Sequence, residues 1–229
     1  MLDRIVAEAP AFFNVYNLVF IVEAMGRTLL MTLVGCGFGF AAGLLLAAAR
    51  HARGAWIAPV KTLAVLYVET FRRIPFLVIL FIVMFAIQPM APDISLLGIA
   101  IVAVCLLSAA FLSEIIRAGI ESVPAAQVES ARVLNFGFWR TLFWVILPQA
   151  WKVILPPAVA FAVMFVKDTS LASQLGVVEL TFAGKMLVNR GFSPLLGFGA
   201  ILVCYFLLSY PLSRIGAHLE KRLAAPRNR

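Results

Sequence analysis

Pro124-Ala125-Ala126-Gln127-Val128-Glu129-Ser130-Ala131-Arg132 and, further on, Val145-Ile146-Leu147-Pro148 bound an interval that lies between two long apolar runs. Nineteen positions separate Glu129 from Pro148. The interval reads as helix, turn, helix over residues 119–147. Pro124 suits the first turn of a helix, where a missing N–H costs nothing. Ala125, Ala126, Val128, Ala131 and Leu134 supply a small, apolar side, and Gln127, Glu129, Ser130 and Arg132 a polar one. Asn135 or Gly137 can take the left-handed conformation that ends the helix. Trp139, Leu142, Phe143 and Ile146 then begin a second helix that leads through Pro148 into the next apolar run. Such a segment either docks another protein or rests on a membrane surface, since both tasks need one apolar and one polar face.

Composition decides where this segment works. Hydrophobic residues make up 63% of 229 positions and charged residues 13%. A soluble domain carries about 45–50% apolar and about 25% charged residues. One soluble core of this size cannot hide the excess, so the chain reads as one all-α, polytopic membrane domain over residues 1–229. The net charge of +8 fits basic residues gathered on a cytoplasmic membrane face, and no nucleic-acid motif accompanies it. Cys36, Cys105 and Cys204 sit far apart in apolar runs, which argues against a disulfide framework or a zinc site. His51 and His218 flank no metal-like pattern and read as interfacial. The start, Met1-Leu2-Asp3-Arg4, lacks the basic-then-apolar order of a cleaved signal peptide.

A membrane helix needs about 20 apolar residues. Five runs qualify, at roughly 28–49, 56–87, 96–116, 147–166 and 195–212. The second is over-long and expected to tilt or break at Pro75. Residues 2–20 read as an interfacial helix ahead of the first span. An external amino terminus places Arg50, Arg53, Lys61, Arg117, Arg132, Arg140, Lys152, Arg214, Lys221, Arg222, Arg227 and Arg229 inside. Only Arg4, Arg27, Lys167, Lys185 and Arg190 then fall outside, and that asymmetry supports N-out, C-in. The segment 118–146 is then cytoplasmic, and 168–194 external or re-entrant. No repeat divides the chain into the similar halves of many gradient-driven transporters. No GxxxxGK[ST] pattern occurs, so any driving ATP is bound by another chain.

Several motifs resemble one family. E-A-A, three residues, G, nine residues, I-x-L-P falls in register on Glu129, Ala131, Leu147 and Pro148, with Ser130, Asn135 and Val145 as departures. This is similar to the EAA loop of ABC importer permeases. Tyr67-Val68-Glu69-Thr70-Phe71-Arg72-Arg73-Ile74-Pro75-Phe76-Leu77 resembles the Y-x-E-x-F-R-x-x-P-x-L segment of polar amino-acid permeases. Ser113–Ile120, Leu147-Pro148-Gln149-Ala150, Lys167-Asp168-Thr169-Ser170-Leu171-Ala172 and Gly176-Val177-Val178-Glu179-Leu180 resemble further signatures in the same order. The resemblance covers about 28–222 and is to the histidine/glutamine-type permeases, with a type I importer fold.

That resemblance implies a multi-pass protein of the bacterial inner membrane, importing polar amino acids by alternating access. It implies an ATP-binding cassette ATPase dimer as partner, with ATP and magnesium bound there and no cofactor or metal in this chain. It also implies a second permease copy, identical or sister, and an extracytoplasmic solute-binding protein. Glu129, Ser130, Ala131, Arg132, Asn135 and Gly137 are the expected ATPase-coupling residues. The different-class alternative is a gradient-driven transporter or scaffold.

Charges at membrane depth mark the candidate substrate pathway. A charge at mid-bilayer costs about 2.5–3.5 kcal/mol on insertion scales, so it needs a partner or a wet cavity. Glu69 stands at i+3 and i+4 spacing from Arg72 and Arg73. The three either line the pathway or form an ion pair fixing the helix near Pro75. At the end of the fourth run, Asp168 can accept from a substrate ammonium, while Thr169 and Ser170 can donate to its carboxylate. Ending an apolar helix with polar residues is also ordinary interfacial behaviour. Glu179 has no neighbour in sequence that fixes its position. Glu114 and Arg117 are expected to pair at the inner surface.

Overall fold

The computed structural model describes residues 2–52 and 54–223. Met1 of the amino-terminal stretch and Arg53, Arg227 and Arg229 of the basic set lie outside them. Ten α-helices are described: α1 Leu2–Phe12, α2 Val15–His51, α3 Ala58–Arg73, α4 Phe76–Ile87, α5 Leu96–Glu121, α6 Ala125–Val133, α7 Phe138–Thr141, α8 Leu147–Asp168, α9 Leu180–Asn189 and α10 Pro194–Leu223. Among the described residues there is no strand. Four helical stretches are long and apolar enough to cross a membrane, and a fifth span results if α3 and α4 count as one.

The first and last spans differ from their apolar runs. The first spanning helix, α2, begins at Val15, not Thr28, and the separate helix ahead of it ends at Phe12, not residue 20. Asn14 causes that division: its Oδ1 accepts the Asn17 N–H at 2.8 Å, and its amide donates to the Ala11 carbonyl at 3.0 Å. The side chain thus supplies partners to main-chain groups that a helix start leaves open. The polar residues that end the apolar run, Glu23 and Arg27, sit one helical turn apart within α2, at 3.8 Å. α10 likewise continues past the expected end at 212 to Leu223.

Pro75 breaks the over-long run as expected. α3 and α4 meet at 116° across Ile74-Pro75. Ile74 is extended (φ −90°, ψ 135°), as a residue before proline prefers. Pro75 then caps α4, supplying no N–H where none is needed.

Contacts divide the chain into two units. The first takes residues up to Gly35, Pro75–Val104 and Val163–Pro211. Its core gathers Phe12, Ile21 and Ala24 with Leu180, Ala183, Leu187 and Ile201. The second takes Cys36–Ile74, Cys105–Ala162 and the residues from Leu212 onward. Ala47 and Ala48 of α2, Ile116 and Ile120 of α5, and Leu142, Ile146, Ala150 and Ile154 form its core. Here α2 approaches α5 closely through glycine. A Cβ on Gly43 would lie 2.7 Å from the Ser113 main-chain nitrogen, and one on Gly39 2.4 Å from the Ser108 hydroxyl. Close small-residue contact of this kind replaces the hydrophobic driving force that membrane helices lack.

Candidate functional site

The segment expected to couple to an ATPase is built as its sequence demands. Pro124 caps α6. At the other end the Asn135 N–H donates to the Arg132 carbonyl at 2.8 Å, and the Phe136 N–H to the Ala131 carbonyl at 3.0 Å. These two bonds form a Schellman motif, with Asn135 left-handed at φ 60°. Asparagine tolerates that conformation because its short polar side chain bonds locally. Gly137, the other candidate for this role, is instead extended (φ −68°, ψ 169°) and caps α7. Ala131 is buried and Val128 packs on the core of its unit. Glu129, Ser130 and Arg132 are exposed, and the Ser130 hydroxyl donates to the Ala126 carbonyl at 2.8 Å.

The second loop helix does not stop before the fourth span. α7 passes into a π-helical turn, Leu142–Ile146, and then directly into α8. The Gln149 side-chain amide donates to the Val145 carbonyl at 2.8 Å, next to Pro148, which has no N–H to give. The expected loop is also shorter at its start, because α5 runs to Glu121.

The charges near Pro75 separate. Glu69 pairs with Arg73 at 2.7 Å, and that pair is exposed. Arg72 turns away to Glu114 of α5, at 3.7 Å, passing 5.7 Å from the centre of the Phe111 ring. Glu114 is a hub. It accepts from Arg50 of α2 at 2.8 Å and from Arg117, which also donates to Glu121 at 2.5 Å. The expected Glu114–Arg117 pair is therefore present, with Arg50 and Arg72 added to it. The hub ties α2, α3 and α5 within the second unit.

Asp168, Thr169 and Ser170 lie in the first unit, where α8 passes into the 3-10 segment Thr169–Leu175. Asp168 and Ser170 are half-buried. Thr169 is fully buried, and its hydroxyl donates to the Val166 carbonyl at 2.8 Å. That hydroxyl is committed to the chain's own backbone.

Glu179 is fixed more tightly than its sequence suggests. It is fully buried and caps α9, accepting the N–H groups of Phe182 (2.8 Å) and Thr181 (3.0 Å). Tyr205 of α10 donates its hydroxyl at 2.8 Å. Burial raises the carboxyl above its ordinary range, against the pull of those three donors and of Lys185. Beside it the Leu180 N–H donates to the Thr28 hydroxyl at 3.3 Å, and the Lys185 ammonium to Ser173 at 3.1 Å. Only a capping reading of Glu179-Leu180-Thr181-Phe182 could have found this role.

Residues 39–225 match the family described as "Binding-protein-dependent transport system inner membrane component". The chain belongs to that family. This permease is 30% identical over 211 residues to the probable glutamine ABC transporter permease of Bacillus subtilis, covering 90% of the permease and 94% of the relative. It is 31% identical to the glutamine transport system permease of Escherichia coli K12, over 89% of the permease and 92% of the relative. It is 33% identical to the L-cystine transport system permease of B. subtilis, over 86% and 83%. Among solved structures it matches an amino acid ABC transporter determined with histidines (TM-score 0.81, 27% identity, 91% and 96% covered). It also shares its fold with an inward-facing methionine ABC transporter (TM-score 0.79, 21% identity, 93% and 100% covered). The type I importer fold and the inner-membrane location follow. The permease is a transport component of a binding-protein-dependent system, and the family's subunits of this kind are not themselves catalytic.

Proposed function

We propose that the permease is the membrane-spanning half of an ATP-driven importer of polar amino acids, set N-out, C-in in the bacterial inner membrane. The observation that carries this reading is α6: Ala131 and Val128 anchor one side of it, and Glu129 and Ser130 face outward on the other. A helix resting on the membrane surface would turn its apolar side to lipid, whereas here the buried side packs on the protein's own core. The exposed polar side is left for an ATPase.

ATP and magnesium are bound by an ATPase dimer, two permeases (identical or sister) form the pathway, and an external solute-binding protein delivers the amino acid. ATPase closure pushes α6, and the push enters α8 through the continuous α7 and π-helical segment. The permease's own contribution is a pair of conformations, each favoured by a different partner state. The amino-acid class rests on the relatives at 30–33% identity named for glutamine and cystine.

Glu129→Lys tests the reading. Affinity purification in mild detergent recovers an ATPase with the wild type and less with the variant, and ATP-dependent uptake falls with it. Recovery of no ATPase by a folded permease, or uptake indifferent to Glu129→Lys, returns the gradient-driven transporter or scaffold.

A further inference from the structure

Two cavities adjoin at the end of α2 in the second unit. The larger, about 570 Å³, lies between the last turns of α2, the 3-10 turn Ala55–Ile57 and the coupling segment. The smaller, about 380 Å³, lies between α2 and α3. Leu45 and Ala49 line both, so the two make one slot.

The ends of the slot differ in chemistry. The larger end is lined by Arg132, His51 and Thr141 among apolar residues, with Trp56 and Trp139. The smaller end is lined by leucine, valine and alanine, with Tyr67. The Tyr67 hydroxyl is already given to the Leu106 carbonyl at 2.5 Å, so this end offers hydrocarbon contact. Trp56 is 81% exposed, and exposed indoles beside basic side chains mark the headgroup level of a membrane. An occupant must therefore be anionic at one end and hydrocarbon at the other, within a volume typical of ligand sites.

We propose that the slot binds one anionic phospholipid from the surrounding bilayer. Its phosphate sits against Arg132, and one acyl chain follows α2 into the groove beside α3. Arg132 belongs to α6, so the headgroup lies directly against the coupling helix. The proposal needs only the membrane location given by the family and holds for either orientation.

The test is bromine quenching of tryptophan fluorescence, with the full chain in nanodiscs of phosphatidylglycerol and phosphatidylcholine in equal parts. The dibromostearoyl chain is carried by one lipid or the other. Emission assigned to the slot is the part removed by Trp56→Phe with Trp139→Phe. Brominated phosphatidylglycerol should quench that emission with an apparent preference of about fivefold, the enrichment one basic residue confers near a membrane surface. Arg132→Gln, at an exposed position, should abolish the preference while quenching persists. Ala49→Phe should fill the slot and reduce quenching by both lipids. Equal quenching by the two lipids in the wild type, or a preference that survives Arg132→Gln, would overturn the proposal. Quenching by neither lipid would overturn it equally.

Discussion

The Phe136 N–H donates to the carbonyl of Ala131, and the residue between the turn and the next helix, Asn135, is left-handed. α6 ends there because of that pair of constraints. Asn135→Gly should leave stability and uptake near wild type. Asn135→Val should cost about 1–2 kcal/mol, since left-handed backbone crowds a Cβ. Thermal unfolding in detergent reads the difference, and equal melting of the two variants would mean that the turn can re-form elsewhere.

Glu114 and Glu69 differ in what they hold. Glu114→Gln removes the carboxylate that Arg50, Arg72 and Arg117 share and should cost about 1.5–3 kcal/mol, as for a hydrogen bond to a charged group. Glu69→Gln breaks one exposed, solvent-screened pair and should cost less than Glu114→Gln. Denaturation of both variants in mixed micelles checks the order, and equal losses would deny Glu114 its role as hub.

Gly43 and Gly37 make a paired test of helix approach. Gly43→Ala should lose about 1–3 kcal/mol by overpacking, because the atom it meets is main chain. Nothing lies within 4 Å of a Cβ on Gly37, so Gly37→Ala should gain up to about 1 kcal/mol from helix propensity. Unfolding midpoints that move in the same direction would contradict the α2–α5 contact.

Asp168 and Thr169 separate pathway from packing. Asp168→Ala should reduce uptake about tenfold or more while assembly is preserved, the loss expected of one charged hydrogen bond. Thr169→Val should change uptake little, because its hydroxyl serves Val166. Unchanged uptake in Asp168→Ala removes that residue from the pathway.

Glu179 gives stability a pH dependence with a definite sign. Burial raises its carboxyl above the ordinary 4.5. Below 4.5 its contribution is fully present. As pH rises through the raised value, the folded chain holds a proton that the unfolded chain has released, and stability falls. Wild type should therefore lose ground to Glu179→Gln as pH rises from below 4.5 through the raised value. Parallel stability curves would show that the three donors cancel the effect of burial.

What the sequence made legible was local. Proline at 75 breaks a helix by its own chemistry, and the helix–turn–helix course between Glu129 and Pro148 could be read without any tertiary information. The choice between Asn135 and Gly137 needed backbone angles. What was hidden depends on distant partners. Arg72 lies three residues from Glu69 but finds Glu114, and Glu179 is held by Tyr205 on another helix. Asn17, a polar residue within α2, is buried and accepts from Arg190 at 3.2 Å. Apolar-run boundaries missed the start of α2 because helices continue through polar residues wherever another element satisfies them.

The π-helical turn at Leu142–Ile146 also sets a phase. It holds one residue more than an α-helical turn would use, so α6 and α7 meet α8 at an azimuth offset by about 100° from the one an unbroken helix would impose. A single deletion in this turn, at a position such as Phe143, would let the helix close up and swing the whole coupling segment about the α8 axis. Chain length here thus works as an angular setting, with one residue as its smallest step.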